Sequence, residues 1–583
     1  MNQGPTTHSR IAWAKWLPIL AWGRAYDGRQ LGGDLLAAGI VTLMLIPQSL
    51  AYAMLAGLPP QAGLYASMLP LLAYAVFGSS RTLAVGPAAV TSLMTATAIG
   101  QLAAPGTPAY WEAALALALL SGGILLVMGL LRLGFLANFL GHPVIAGFIS
   151  ASGLLIAFGQ ARHVLGVSAH GDTLLELLPA LWHQLPMLNW PTLMLGGGAL
   201  LFLWWSRQRL GRRLRAWGWR SGLVDVLGRA APVLAIALTT LAVWAWNLQD
   251  QGVKVVGAVP QGLPSLTWPT WNPALWSSLA MPALLLSLVG FAESVSVGQT
   301  LAARRRQRVE PDQELLALGA SNVAAAVSGG LPVTGGFSRS VVNFDAGART
   351  PAAGVYTAIG IALAALLLTP LLRYLPQATL AATVIVAVLS LVDIAVFRRI
   401  WRYSRFDFSV AAATLALTLL AGVETGLVAG VVLALALHLY RSSRPHVAEV
   451  GQVPGTEHFR NVRRHAVNTC EAVLGLRVDE SLYFANARYL EDCINDAVAR
   501  RQQLKHVVLQ CSAINDIDAS ALASLEMIEV RLREAGICLH LSEVKGPVMD
   551  RLSRTSFLQC LSGQVFLTHY QAIAALAPEG LGK

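Results

Sequence analysis

"PVTGGFSRSVVNF", residues 332–344, sets a glycine pair and an arginine flanked by two serines within a region otherwise apolar enough to lie in a membrane. A charge at bilayer depth is costly, so Arg339 needs either a function or a partner. The stretch reads as a Gly/Pro-rich extended piece running into a short apolar helix, with Arg339 at its start. A second stretch, "SSRTLAVGPAAVTSLM" (79–94), has the same character: an extended Gly/Pro-rich piece running into a short apolar helix. Paired interruptions of this kind in the two halves of a transporter point to its binding site, because broken helices leave N–H groups unpaired at membrane depth. Each helix N-terminus carries about half an elementary positive charge, so two of them aimed at one spot attract an anion. Arg339 would add a full charge beside that donor cluster and Ser338 a hydroxyl. The competing reading has Arg339 snorkelling to the cytoplasmic surface or pairing with a buried acid, with Asp345 and Arg349 close in sequence.

Two further spans carry polar groups. In "TLMLIPQSLAYAMLAGLPPQAGLY" (42–65), Pro47 removes a backbone donor in mid-span, and Gln48 and Tyr52, four residues apart, share a helical face that can line a cavity. An ordinary Pro-kinked helix, with Gln48 bonded to a neighbouring carbonyl, is the alternative. In "ALLLSLVGFAESVSVGQTLAARRRQ" (283–307), Glu293 is the only carboxylate. Burial favours its neutral form and a nearby arginine its charged form, so its protonation should follow the presence of an anion. A permanently ionised structural partner of Arg339 is the plainer role.

Composition supports the membrane setting. Of the 583 residues, 55% are hydrophobic and only 13% charged, about half the charge of a typical soluble protein. Apolar windows long enough to cross a bilayer recur from about residue 31 to about residue 440, which predicts a polytopic helical bundle. The net charge of +11 resides mainly in arginine clusters between those spans, a pattern that sets topology and argues against a nucleic-acid partner. With the N-terminus inside, the inner connections carry Arg81, Arg132, the run at 207–220, "RRRQR" (304–308), Arg349, "RRIWRYSR" (398–405) and "RSSR" (441–444). The outer ones hold little beyond Arg162, Lys254 and Arg373, so both termini are expected in the cytoplasm. The first 30 residues lack the apolar core and cleavage site of a secretory signal and read as a cytoplasmic segment. The transport domain is expected at 31–441. Asp34 is expected to cap or neutralise the start of the first span, and Glu424 to mark a short turn.

After residue 441 the apolar spans stop. Pro, Gly and charges mark 442–460 as a linker, and 461–583 as a small α/β domain of alternating strands and amphipathic helices. All five cysteines lie there, without metal-binding spacing, which predicts reduced, unpaired thiols and no zinc. In "CSAINDIDASALASLE" (511–526), Asp518 and Ser520 fall where a strand ends and a helix starts. Helix capping is the preferred role, with Ser520 as a phosphorylation switch the alternative. No phosphate loop, metal cluster or nucleophile with a base at useful spacing is visible, so neither an enzyme nor a cofactor is expected.

"IPQSLAYAMLAGLPPQAGLYASMLP", "FGSSRTLAVGPAAVTSLM", "PDQELLALGASNVAAAVSGGLPVTGGFSRSVVNFDAGARTP" and "CSAINDIDASALASLE" together resemble the SulP sulfate permease family. The resemblance implies fourteen membrane segments in two inverted repeats of seven, split into a core domain that carries the anion and a gate domain, moving in an elevator-like manner. It also implies a cytoplasmic STAS domain and a homodimer in a bacterial inner membrane. Gln48 and Tyr52 match the family's first-helix anion contacts, Ala88 the start of the third helix, and Phe337, Ser338 and Arg339 the start of the tenth. Glu293 falls where many bacterial and plant members have an acid linked to cation coupling, which favours a symporter over an exchanger. One departure is Gln510, where related anti-sigma antagonists usually have aspartate, with Ala519 between Asp518 and Ser520. It favours docking or dimer stabilisation over phosphorylation.

The expected function is therefore import of sulfate or a related small oxyanion with a proton. Sodium-coupled bicarbonate transport, proton-coupled dicarboxylate transport, and an anion sensor signalling to a cytoplasmic partner through the STAS domain are the alternatives.

Overall fold

The computed structural model describes residues 16–578 except 140, 170, 172, 217, 219, 220, 258 and 259. Most of the amino-terminal segment, part of the arginine run at 207–220 and the last five residues thus lie outside the described residues. The chain forms two compact units that divide between Ala434 and Leu435.

In the membrane unit, helix starts follow local chemistry. Asp27 accepts from the Gln30 N–H (2.8 Å) to open α1, Gly28–Leu55. There follow α2 (Leu69–Phe77), a two-residue strand β1 (Val85–Gly86), α3 (Ala89–Gly100), α4 (Pro108–Leu130), α5 (His142–Leu165), α6 (Trp190–Trp205) and α7 (Ser221–Ala245). Next come α8 (Pro273–Arg304), α9 (Pro311–Val327), β2 (Thr334–Gly335), α10 (Phe337–Asp345), α11 (Ala352–Leu367), α12 (Gln377–Leu389), α13 (Arg405–Ala421) and α14 (Val423–Ser443). Proline at N1 opens α4, α8 and α9, where its missing N–H costs nothing. Among the described residues, six helices or joined helices are long and apolar enough to span a bilayer, and several shorter apolar ones accompany them.

The order recurs in the two halves of this unit: a long proline-containing helix (α1, α8), and after it a short strand leading into a short helix (β1–α3, β2–α10). The two strands pair antiparallel, Val85 with Gly335 and Gly86 with Thr334. Helices α1–α4 pack chiefly with α8–α11, and α5 and α6 with α12 and α13. This is the two-group plan expected from the resemblance.

Two acids outside the predicted set hold the first group together. Asp34, buried, does not serve its own helix start. It accepts from the N–H groups of Arg349 (2.6 Å) and Thr350 (3.1 Å) and from the Thr350 hydroxyl (2.6 Å), so it caps the turn ahead of α11. Glu314, also buried, accepts from Tyr74 Oη (2.8 Å), Ser79 Oγ (2.6 Å) and the Ser79 and Ser80 N–H groups (2.9 Å each), fixing the approach to β1. Glu424 begins α14 just after Gly422, whose φ of +98° makes the expected turn.

In the tail unit a six-stranded sheet runs β4-β3-β5-β6-β7-β8: β3 (Val447–Gln452), β4 (Phe459–Asn461), β5 (Val473–Val478), β6 (His506–Gln510), β7 (Cys538–Ser542) and β8 (Val565–Phe566). Strands β5 to β8 are parallel, with crossover helices α15 (Ala487–Ala499) and α16 (Ala519–Glu534). The stretch read as a linker is a correction: β3 and β4 lie within it, joined by a hairpin. Val453 N–H bonds the His458 carbonyl (2.8 Å) and Gly455 takes a φ of +73°. Its Pro and Gly are turn residues, a role that composition alone does not separate from that of a linker. Alternation along β6 sends Val507 and Leu509 into a core with Leu490, Ile494, Leu525 and Ile528, and Val508 to the opposite face with Phe459 and Ile573. His540 is buried beside His506. Its Nδ1 accepts from the Gln564 N–H (3.0 Å), which leaves Nε2 to meet His506 Nδ1 at 3.1 Å. Burial lowers the His540 pKa to about 4.

Candidate anion-binding site

The β1–β2 crossing brings the N-termini of α3 and α10 to one place. Ala88 is the N-cap of α3 and Gly336 of α10, and neither cap supplies a side-chain acceptor, so the first-turn N–H groups have no capping partner. Side chains pin the crossing from both sides. Asn322 on α9 bonds both the N–H and the carbonyl of Val333 (2.9 Å each). Ser294 on α8 accepts from the Gly335 N–H (2.8 Å) and meets Thr334 Oγ1 at 2.8 Å. Ser340 accepts from the Ala84 N–H at 3.0 Å. The glycine pair is required by close approach: a Cβ at Gly335 would lie 2.7 Å from Leu83, and one at Gly336 2.9 Å from Arg339 Nη2.

All seven predicted membrane-site residues line one cavity of about 50 Å³: Gln48 and Tyr52 from α1, Ala88 before α3, Glu293 from α8, and Phe337, Ser338 and Arg339 from α10. Such space is on the scale of one or two waters at about 30 Å³ each, which suits a small ion stripped of its hydration. Ala387, Val388 and Leu391, at the end of α12 and just beyond, complete the wall. Sequence reasoning missed them because nothing in a run of alanines and valines distinguishes a cavity wall from lipid contact.

Arg339 neither snorkels nor pairs with an acid. It is 3% exposed, and its guanidinium donates to the carbonyls of Pro87, Gly86 (3.0 Å) and Thr334 (3.4 Å), while Nε has no partner. The charge therefore sits against the crossing, beside the cavity, with two of its nitrogens already engaged. Glu293 is not its partner: no ion pair joins them, and Glu293 Oε2 is buried without a hydrogen bond. The far end of α10 is matched by Arg305, which donates to the Phe344 carbonyl (3.0 Å) and that of Ala348, opposite in sign to the helix C-terminus.

Two larger cavities adjoin the site. One of about 480 Å³ meets it at Leu391, and Ala292, Val295, Ser296 and Gln299 of the Glu293 helix, with His142 and Asp393, line its walls. The other, about 240 Å³, shares Gln48, Ser338 and Ala387. In the tail, Asp518 acts as expected: Oδ1 accepts from the Ala521 N–H and Oδ2 from the Phe484 N–H (2.8 Å each), capping α16 and tying it to the loop after β5. Ser520 is exposed in the first turn of that helix.

A membrane unit of this plan, with uncapped helix N-termini, a buried arginine and a carboxylate around one small cavity and followed by a separate α/β unit, has the features of an integral-membrane anion transporter. The chain belongs to the sulfate permease family, whose profile matches residues 31–414, and residues 465–572 match the STAS domain. It is 34% identical to Sulfate transporter 4.1, chloroplastic, of Arabidopsis thaliana, over 94% of this chain and 80% of the relative. It is 30% identical to High affinity sulfate transporter 1 of Stylosanthes hamata, over 96% and 86%. The fold is shared with the murine Solute Carrier 26 family member A9 anion transporter (TM-score 0.87, 21% identity, 99% of this chain and 96% of that one). The transmembrane domain of the cyanobacterium bicarbonate transporter BicA is also similar (TM-score 0.59, 21% identity, 70% and 98%).

Proposed function

We propose that this protein is a secondary active transporter that imports sulfate, or a similar small oxyanion, together with a proton. The observation that carries the reading is the convergence of two uncapped half-helix N-termini, Arg339 and an unpaired Glu293 on one cavity. The first three supply donors and positive charge for an anion. The fourth is a carboxyl with no fixed partner, free to take a proton as the anion arrives and lose it as the anion leaves. Relatives that are named sulfate transporters, at 30–34% identity over nearly the whole chain, favour sulfate.

The cavity lies between the two helix groups, which supports an elevator motion of the α1–α4 and α8–α11 group against the rest. The arginine distribution supports a bacterial inner-membrane placement with both termini cytoplasmic. The family supports a homodimer, with the STAS domain docking a partner or stabilising the dimer.

The test is labelled sulfate uptake into proteoliposomes, with and without an inward proton gradient, for wild type and Glu293→Gln. Gradient-driven uptake that Glu293→Gln uncouples, with sulfate binding retained, is the expected result. No sulfate movement under any gradient would overturn the substrate and redirect the same vesicles to bicarbonate with sodium, then to dicarboxylates.

A further inference from the structure

The cavity of about 240 Å³ beside the central site carries chemistry of its own. Its walls include Ser206 and Arg207 at the end of α6, Thr383 and Ser390 on α12, and the shared Gln48 and Ser338. Among the described residues, no carboxylate lines it. Arg207, an exposed residue, donates to the Val386 carbonyl (2.9 Å) through one nitrogen, and among the described residues no carboxylate pairs with it. Ser206, 4% exposed, lines the cavity, and its hydroxyl has no hydrogen-bond partner. The backbone is unusual at this point, because α6 continues into a π-helical turn, Ser206–Leu210, an element that tends to occur at functional positions. By contrast, the cavity on the other side presents Asp393 and His142 and follows the helix of Glu293. The two cavities that reach the central site thus differ in sign.

We propose that the Arg207 cavity is a second anion site, a release position for the imported oxyanion on the side of the membrane that carries the arginine clusters. It rests on the transport reading above and assigns the anion and the titrating carboxyl separate routes. An oxyanion leaving the central site passes from Gln48 and Ser338, which belong to both cavities, to donors on Arg207 and Ser206.

The test does not require transport. Ser390, whose hydroxyl bonds only the carbonyl of its own helix at Ala387 (2.6 Å), is replaced in the full chain by cysteine. Its reaction with a negatively and with a positively charged thiol reagent is then followed by peptide mass spectrometry. Expected is a preference of about tenfold for the anionic reagent, the size of one charge-assisted contact. Sulfate should protect the thiol, and Arg207→Gln should remove both effects while Arg207→Lys keeps the charge preference. Equal rates for the two reagents, or protection by an anionic lipid with none by sulfate, would overturn the proposal. Sulfate flux through wild-type vesicles is measured in parallel. Its absence refutes the transported substrate, whereas charge-selective labelling decides the second site by itself.

Discussion

The half-helices α3 and α10 occupy corresponding places in the two halves of the membrane unit, each following a two-residue strand and each lacking a side-chain cap. Their chemistry differs. The first turn of α3 offers Ala89 and Val90, and that of α10 offers Ser338 and Arg339. The long helices differ in the same sense: α1 contributes the neutral Gln48 and Tyr52, α8 the ionisable Glu293. Repetition has therefore duplicated the backbone donors while both formal charges come from the second half. Arg339 crosses between them, because its guanidinium holds the Gly86 and Pro87 carbonyls just ahead of α3. One cation thus assembles the first half's anion-binding terminus as well as lending it charge.

Removing that cation should have the largest effect. Arg339→Gln strips donors from buried carbonyls of both strands, a loss of about 3 kcal/mol in stability, and removes the site's only positive side chain. Sulfate binding by the monodisperse protein should fall by at least about 100-fold. Arg339→Lys should restore little, since an ammonium cannot reach carbonyls in a fixed fork as a guanidinium does. Lysine rescue of both melting temperature and binding would show that charge alone matters and would break the link between the two halves.

Glu293→Gln should come next, and it should separate binding from coupling. Wild-type uptake is expected to decline as external pH rises, because the carboxyl then no longer loads a proton. The variant should bind sulfate within about threefold of wild type and lose both the pH dependence and the response to a proton gradient. A variant that still accumulates sulfate against its gradient would move coupling away from α8.

These residues were legible in sequence because each violates its surroundings: a charge, an amide or a Gly/Pro break within an apolar span. What Arg339 does with its nitrogens was not legible. Pairing with a buried acid such as Glu293 was the competing reading, but the strand crossing places backbone carbonyls against the guanidinium, contacts between residues about 250 positions apart. Asp34 was misread for the same reason, since its partners at Arg349 and Thr350 lie in the other half of the chain. Ser294 and Asn322 passed as ordinary small polar residues because their role is to bond an irregular backbone whose path the sequence does not reveal. In the tail, helix caps such as Asp518 depend on neighbours three residues away and were read correctly. The hairpin of β3 and β4 was lost to a composition that linkers and turns share.

Gly336→Ala should be smaller than either charge change and should sharpen the asymmetry of the crossing. Its added Cβ would press on Arg339 Nη2 at 2.9 Å, a side-chain tip that can shift by a few tenths of an ångström. About 1–2 kcal/mol of stability and a roughly tenfold weaker sulfate affinity are expected, read by thermal unfolding and equilibrium binding. Unchanged affinity would mean that Arg339 can leave its carbonyls without disturbing the site.

The neutral side of the comparison should give the smallest effect. Tyr52 is buried on α1 and lines the cavity. Tyr52→Phe keeps the ring that closes the cavity and removes only one neutral donor, worth about 1 kcal/mol to a bound anion, so the half-saturating sulfate concentration should rise about fivefold with the maximal rate and the pH profile preserved. A change confined to that concentration fits a first half that contributes binding alone. If Tyr52→Phe instead altered the pH profile, the hydroxyl would share the proton with Glu293, and the division of labour between the two halves would fail at its neutral end.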